Sequence, residues 1–159
     1  MAHPAKLRGF TGARVLGACL VAGLIGALAV GCSSGDGGAG PTNTGAACSA
    51  PEQCYPGVKD GELLGKAECL TDVTGGYCTH QCADDSDCCA AAGECNGNHA
   101  EVCAPYESKP GKHCFLSCED DDLKAAGVTD ADVYCHNYAS AAFGCSSTGG
   151  GSQNRKVCM

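Results

Sequence analysis

Fourteen cysteines fall between Cys48 and Cys158, and this density constrains the fold more than any other feature. Between residues 47 and 159 the chain has only five Leu, six Val, two Phe and five Tyr, with no Ile or Trp. Burial of so few large apolar side chains cannot offset the entropy lost on ordering the chain. Disulfides can make up the deficit, since each typically contributes about 2–4 kcal/mol by restricting the unfolded chain. We therefore predict a small disulfide-rich fold with little regular secondary structure, made of short hairpins and one or two short helices.

All fourteen cysteines are predicted to form disulfides, which indicates an oxidising compartment. They are Cys48, Cys54, Cys69, Cys78, Cys82, Cys88, Cys89, Cys95, Cys103, Cys114, Cys118, Cys135, Cys145 and Cys158. The number of connectivities is too large for the sequence to choose among them, so the partners stay open.

The first 31 residues have the organisation of a secretory signal peptide. Lys6, Arg8 and Arg14 form a positively charged head, and residues 15–30 follow without a charge. This apolar run is shorter than the about 20 residues that span a membrane, and it ends in small residues, as signal peptides do. Residues 1–31 are therefore predicted to be removed on export.

Cys32 follows this segment directly and is predicted to carry a lipid. Ordinary cleavage after Ala29 would leave an odd number of cysteines and hence a reactive thiol, whereas lipidation of Cys32 leaves an even set. The stretch Ala29-Val30-Gly31-Cys32 resembles the permissive form of the bacterial lipobox. The chain as a whole resembles cysteine-rich exported lipoproteins of Gram-negative bacteria. That resemblance implies an anchor in the outer membrane, since Ser33 is not the Asp that retains lipoproteins in the inner membrane.

Residues 32–47 are rich in Gly, Ser and Thr, and they are predicted to form a flexible tether. From Cys32 onward the chain holds seven Lys and Arg against 18 Asp and Glu. This acidic balance argues against nucleic acid, whose phosphates demand the opposite sign of charge. The predicted partners are the membrane, through the lipid on Cys32, and an unidentified protein or glycan ligand. No cofactor is expected.

The cysteine-rich domain, 48–159, contains a degenerate repeat. The stretch GGYCTHQCADDSD at 75–87 recurs as PGKHCFLSCEDDD at 110–122. Each copy has C-x-x-x-C, then an acidic run, then two further cysteines, so we predict two modules at about 75–105 and 110–146. Eight cysteines would pair within these modules. The other six would attach the flanking segments to them: Cys48, Cys54, Cys69, Cys88, Cys89 and Cys158.

Part of the first copy also resembles a knottin, because its cysteines follow the order C…C…CC…C…C from Cys78 to Cys103. This resemblance implies the pairs Cys78–Cys89, Cys82–Cys95 and Cys88–Cys103. The second copy has no vicinal cysteines, so the knottin pairing and the twofold repeat are alternatives.

Two short helices are predicted in the second half of the domain. Thr129 and Asp132 have the spacing of a capping box, and residues 133–142 carry apolar side chains near helical spacing, with Gly144 as the end. The other helix is predicted over 121–126 and would end at Gly127.

Metal binding is the main chemical alternative to disulfides. Cys and His side chains that could bind zinc occur at Cys78-Thr-His80-Gln-Cys82, His113-Cys114 and Cys135-His136. Exported thiols oxidise, which favours disulfides over zinc. No metal site is predicted.

Two acidic runs, Asp84-Asp85-Ser86-Asp87 and Glu119-Asp120-Asp121-Asp122, offer hard oxygens for calcium. The spacing of an EF-hand loop is absent, and charge runs are usually solvated, so we interpret both runs as exposed surface or helix caps. The stretch 149–156, with Arg155 and Lys156, is interpreted as a mobile turn.

The sequence has no motif for nucleophilic catalysis. Ser152 is not in a G-x-S-x-G elbow, and a full set of disulfides leaves no cysteine for a Cys–His pair. We therefore predict a non-catalytic binding or structural module displayed at the membrane surface. The alternatives are an extracellular enzyme or inhibitor on a disulfide scaffold, and a calcium-stabilised module.

Overall fold

The structure is a computed structural model that describes residues 42–59, 61–95, 97–106, 109–149 and 151–159. These residues form two short helices, α1 (Asp120–Ala125) and α2 (Ala131–Tyr138), and six strands: β1 (Ala67–Leu70), β2 (Tyr77–Cys82), β3 (Glu101–Pro105), β4 (Lys112–Leu116), β5 (Cys145–Ser147) and β6 (Lys156–Cys158). Single 3₁₀ turns span Pro51–Gln53, Asp85–Cys89 and Gly151–Gln153. An antiparallel sheet has the order β1-β2-β4-β3, and β5 pairs with β6. The predicted fold class is confirmed.

The disulfides divide the domain into three modules, whose bounds differ from the two predicted copies of the repeat: module 1 (48–78), module 2 (82–114) and module 3 (118–158). Each module has four framework cysteines, of which the first bonds to the third and the second bonds to the fourth. The pairs are Cys48–Cys69 and Cys54–Cys78, Cys82–Cys103 and Cys88–Cys114, and Cys118–Cys145 and Cys135–Cys158. Module 2 has an additional bridge, Cys89–Cys95.

Every module ends in a hairpin that carries its third and fourth cysteines at directly opposite positions of the register. These opposed pairs are Cys69 with Cys78, Cys103 with Cys114, and Cys145 with Cys158. The opposed cysteines do not bond to each other. Both instead bond to the segment before the hairpin, so two adjacent bridges fasten that segment to two neighbouring strands.

Hydrogen bonds in the segments before the hairpins repeat as well. In module 1, Gln53 Oε1 accepts from the backbone N–H of Ser49 at 2.7 Å, and in module 2, Asp87 Oδ2 accepts from Ala83 at 2.7 Å. Both acceptors immediately precede the second cysteine, and both donors immediately follow the first. The spacing C-x5-C therefore places the same turn in modules 1 and 2.

The modules are joined through the C-x-x-x-C segments. Gln81, just before the first cysteine of module 2, pairs with His113, just before the fourth. In module 3, Ser117 and Val157 hold the same two positions and form an isolated bridge. The C-x-x-x-C motif therefore connects the last cysteine of one module to the first cysteine of the next.

A small core packs around Tyr77, which is fully buried. The ring centroids of Phe115 and Phe143 both lie 5.3 Å from that of Tyr77. The Tyr77 hydroxyl accepts a hydrogen bond from the backbone N–H of Leu116 at 2.9 Å. Aromatic side chains from modules 1 and 3 and from the segment between modules 2 and 3 thus supply much of the limited apolar burial that the chain can provide.

The pairing implied by the knottin resemblance is wrong. Cys78 bonds to Cys54, and Cys88 bonds to Cys114, both outside the stretch that carries the resemblance. Cys82 bonds to Cys103 rather than to Cys95. The order and spacing of the cysteines from Cys78 to Cys103 resemble those of a knottin, but Cys78 belongs to the hairpin of module 1, whereas the vicinal pair Cys88-Cys89 belongs to module 2.

The pairing expected from the twofold repeat is also wrong for half of its eight cysteines. Cys82–Cys103 lies within the first predicted copy of the repeat and Cys118–Cys145 within the second, as predicted. The other four of the eight cysteines bond to cysteines that were predicted to attach the flanking segments. The physical reason is that the repeat places both cysteines of C-x-x-x-C at the start of one copy, whereas in the structure the first of them is the last cysteine of the preceding hairpin. Cys48 and Cys69 bond to each other, although both were among the six cysteines predicted to attach flanking segments to the repeat.

The prediction of a flexible tether is wrong for residues 42–47. Asn43 and Thr44 are buried, and the backbone N–H of Gly45 donates to the carbonyl of Cys78 at 3.0 Å. The N–H of Cys78 donates in turn to Ala46. The signal peptide 1–31, the lipidation site Cys32 and residues 33–41 lie outside the described residues and stay predictions.

Both predicted helices are present, but α2 ends at Tyr138, because Ala139 has a non-helical backbone, and it does not continue through 139–142 to the predicted end at Gly144. α2 is capped by Asp130, whose side chain accepts from the backbone N–H groups of Asp132 and Val133, so Thr129 is not the capping residue. α1 begins at Asp120, one residue earlier than predicted, and ends before Gly127, which has the left-handed φ of +69° expected after a helix.

Candidate binding cleft

A cleft of about 580 Å³ opens on module 1 between the 3₁₀ turn and the loop that leads into β1. Its lining combines aliphatic and aromatic side chains with two lysines and one carboxylate: Tyr55, Pro56, Val58, Leu63, Lys59, Lys66 and Glu52. Cys54, also in the lining, bonds to Cys78. Leu64, between two lining residues, is 65% exposed and is the most exposed large hydrophobic residue of the described chain. We call this feature the module 1 cleft.

Tyr55 lies at the base of the module 1 cleft with a left-handed backbone, φ +58°. It is the one described residue other than glycine with a positive φ, and a bulky residue there is strained by crowding between its Cβ and the backbone. The hydroxyl is 2.8 Å from Thr44 Oγ1, and the side chain is only 3% exposed. Burial raises the pKa of the Tyr55 hydroxyl well above its usual range, so this group is a neutral hydrogen-bonding group.

Behind Tyr55 lies a buried hydrogen-bonded contact between His80 and Glu94. His80 packs edge-on against the Tyr55 ring at 5.5 Å, and its Nε2 is 2.5 Å from Glu94 Oε1. Neither side chain of the His80–Glu94 pair is exposed. The second oxygen of Glu94 accepts from the N–H of Ala91 at 2.7 Å, and His80 Nδ1 lies 2.8 Å from the carbonyl of Gln81. All polar atoms of the pair are therefore used inside the fold.

A second His–carboxylate contact joins the strands of the sheet. His113 Nε2 lies 3.3 Å from Glu68 Oε2, and Gln81 Nε2 donates to the other oxygen of Glu68 at 2.8 Å. His113 is buried, and its Nδ1 has no hydrogen-bond partner among the described residues. His80 and His113, the two histidines of the candidate zinc ligands in modules 1 and 2, thus bind carboxylates rather than cysteines.

The first acidic run caps a helix. Asp84 accepts from the side chain and backbone of Ser86, which lowers the pKa of the Asp84 carboxyl below its usual range. Asp85 accepts from the N–H of Cys103 at 2.8 Å and pairs with Arg155 at 3.1 Å. Asp87 completes the capping box with its backbone contacts. Helix capping, one of the two interpretations offered for this run, describes its hydrogen bonds.

The second acidic run begins α1 and also contacts the basic residues of module 3. Glu119 accepts from the N–H of Lys156 at 2.8 Å, and the ammonium of Lys156 lies 3.2 Å from Asp120. Arg155 lies 3.6 Å from Glu119 as well as contacting Asp85. The stretch 149–156 is thus not a free turn, because Arg155 bridges the acidic runs of modules 2 and 3 and Lys156 contacts the run of module 3.

Metal-ligand geometry within the described residues is found only around bonded cysteines. In each module the sulfurs of the first, second and fourth cysteines lie within 4.8 Å of one another, and the sulfurs of Cys89 and Cys95 lie equally close to a carboxylate oxygen of Glu101. The acidic runs contribute to none of these groups. The close approach of sulfurs reflects two adjacent disulfides per module.

No helix among the described residues is long and apolar enough to cross a membrane. Comparison with protein-family models, with curated proteins and with solved structures finds no match for this chain.

Sequence reasoning missed the module 1 cleft and the His80–Glu94 pair. Modules 1 and 2 share the spacing C-x5-C-x14-C, which starts at Cys48 and again at Cys82. This signal would have set the module boundaries correctly. Nothing in the local sequence marks Glu94 as a buried carboxylate, because its partner lies 14 residues away on β2.

Proposed function

We propose that this protein is an exported, lipid-anchored module that binds a ligand in the module 1 cleft without chemical turnover. The observation that carries the proposal is the strained backbone of Tyr55 at the base of the cleft, since such conformations cluster at ligand sites. The Cys54–Cys78 bridge fastens Cys54, the residue before Tyr55, to β2, so the cleft is preorganised before a ligand arrives.

The character of the cleft supports a protein or glycan ligand that carries acidic groups. Lys59 and Lys66 line it together with Glu52, so lysines outnumber carboxylates in the lining of a chain that is otherwise strongly acidic. Lys59 contacts Glu62 at 3.6 Å, but both side chains are exposed and such pairs hold a lysine only weakly. The aromatic and aliphatic side chains between the lysines offer apolar contact area.

The non-catalytic part of the proposal is supported by how His80 and His113 are used. His80 is enclosed completely and bound to Glu94, so it cannot reach a substrate. His113 is equally enclosed, beside Glu68. Lipid anchoring is supported by the position of Cys32 in the sequence, and export is supported by the disulfides, which are typical of exported proteins.

Titration of the isotope-labelled protein with short acidic peptides and acidic oligosaccharides tests the proposal. Amide shifts are expected within 51–67, and Lys66→Glu is expected to weaken binding. Lys124→Glu is the matched control, because Lys124 is an exposed lysine on α1 outside the cleft. Shifts centred on α2, equal losses in both variants, or conversion of the ligand to a product would contradict the proposal.

A further inference from the structure

One bridge stands outside the pattern shared by the modules. Cys89 and Cys95 are six residues apart in sequence, whereas the other bridges span 21 to 27 residues. Cys89 is exposed, while the other thirteen described half-cystines are buried or half-buried. Thiol–disulfide exchange requires access to a sulfur, so an external thiol meets this bridge first.

The loop closed by this bridge, residues 90–95, holds the N-terminal segment of the domain in place. Asn43 Nδ2 donates to the carbonyls of Gly93 at 2.6 Å and Glu94 at 2.7 Å. The side chain of Glu94 also binds His80 in the buried pair. The 90–95 loop thus fastens segment 42–46 and closes the pocket around His80 at the same time.

We propose that Cys89–Cys95 is a thiol–disulfide exchange site for an external dithiol, and that its reduction releases segment 42–46 from the 90–95 loop. A thiolate of the dithiol attacks Sγ of Cys89, the Cys89–Cys95 bond breaks, and Cys95 leaves and takes up a proton. The second thiol of the reagent then displaces Cys89 from the mixed disulfide. The protein gains two electrons and two protons, and the dithiol becomes a disulfide.

Glu101 lies beside this bridge and is expected to slow the exchange. A carboxylate oxygen of Glu101 lies within 4.8 Å of both sulfurs, and Glu101 is only 8% exposed. Negative charge there disfavours the thiolate that must leave from Cys95 and repels the incoming thiolate. Glu101→Gln keeps the shape of the side chain and is expected to speed the reduction.

The order of reduction tests the first half of the proposal. The full chain is treated with dithiothreitol for increasing times, quenched with N-ethylmaleimide and mapped by mass spectrometry. Cys89 and Cys95 are expected to be labelled about tenfold faster than any other cysteine, and faster still in Glu101→Gln. Labelling of another pair first, or of all cysteines together, would overturn the assignment.

Hydrogen exchange tests the second half. The double variant Cys89→Ser/Cys95→Ser keeps both bridges of every module, so the framework is retained. Exchange at the amides of Gly45 and Cys78 is expected to quicken while that of β5 and β6 stays unchanged. Asn43→Ala is the matched control, which should quicken the same amides with Cys89–Cys95 intact. Unchanged exchange at Gly45 and Cys78 in the double variant would show that the bridge does not hold the segment. Neither test depends on ligand binding in the module 1 cleft.

Discussion

Cys69 and Cys78 lie directly opposite each other on β1 and β2, and each bonds to a different cysteine of the preceding segment. The same relationship recurs in the hairpins of modules 2 and 3. A hairpin alone is marginally stable. Two bridges, one from each strand, join the hairpin to the same preceding segment, and that segment then packs against the hairpin. The two bridges therefore stabilise the hairpin and the segment before it as one unit.

Disulfide mapping of the native protein by mass spectrometry is expected to find the 1–3, 2–4 pairing in all three modules and no free thiol. Native protein should resist thiol labelling, and a chelator should leave the fold unchanged. Removing one module bridge, as in Cys54→Ala/Cys78→Ala, is expected to cost about 2–5 kcal/mol in the free energy of unfolding. Labelling of several cysteines only after zinc removal would contradict the disulfide assignment.

Glu94→Ala is expected to be among the most destabilising single substitutions outside the cysteines. It would leave His80 buried without its partner and would remove the bond to the N–H of Ala91, with an expected loss of about 3–5 kcal/mol. Glu62→Ala, in the exposed pair with Lys59, is the control and should cost less than about 1 kcal/mol. Urea unfolding with the disulfides intact measures both. Similar losses in the two variants would show that the buried pair is not important for stability.

Cys32→Ser is expected to release the protein from membranes. Cys32 is the predicted lipidation site, and several acyl chains give stable anchoring where one gives only marginal binding. Partitioning between the detergent and aqueous phases measures the effect, with the unmodified sequence as the reference. If the variant stays in the detergent phase, the anchor is a different group.

Calcium at millimolar concentration is expected to raise the melting temperature only slightly. The acidic runs already accept backbone hydrogen bonds and contact Arg155 and Lys156, and among the described residues they contribute to no group of three ligand atoms close enough to share a metal ion. Added monovalent salt should produce much of the same change by screening. A large rise with calcium alone that is lost in Asp84→Asn or Asp121→Asn would identify a calcium site.

How much the sequence predicts is shown by α1 and by the tether. Local signals alone predict a short helix over 121–126 that ends at Gly127, because acidic residues begin it and a glycine follows it. The observed α1 lies within one residue of that prediction. Residues 42–47 have the composition of a linker, yet Asn43 and Thr44 are buried. Their burial depends on Gly93, Glu94 and Tyr55, which are distant in sequence and invisible to a composition argument.

The sequence by itself determined that this protein is a small disulfide-rich domain, because a chain with so few large apolar residues needs covalent links to offset its conformational entropy. Only the tertiary structure decided which cysteines bond. Two cysteines can bond only when their Cα atoms approach within about 4.4–6.8 Å, and in the modules those distances are 5.1–6.0 Å between residues 21 to 27 positions apart. Strand register and turn geometry set these approaches, and both arise from contacts between segments that no local pattern specifies.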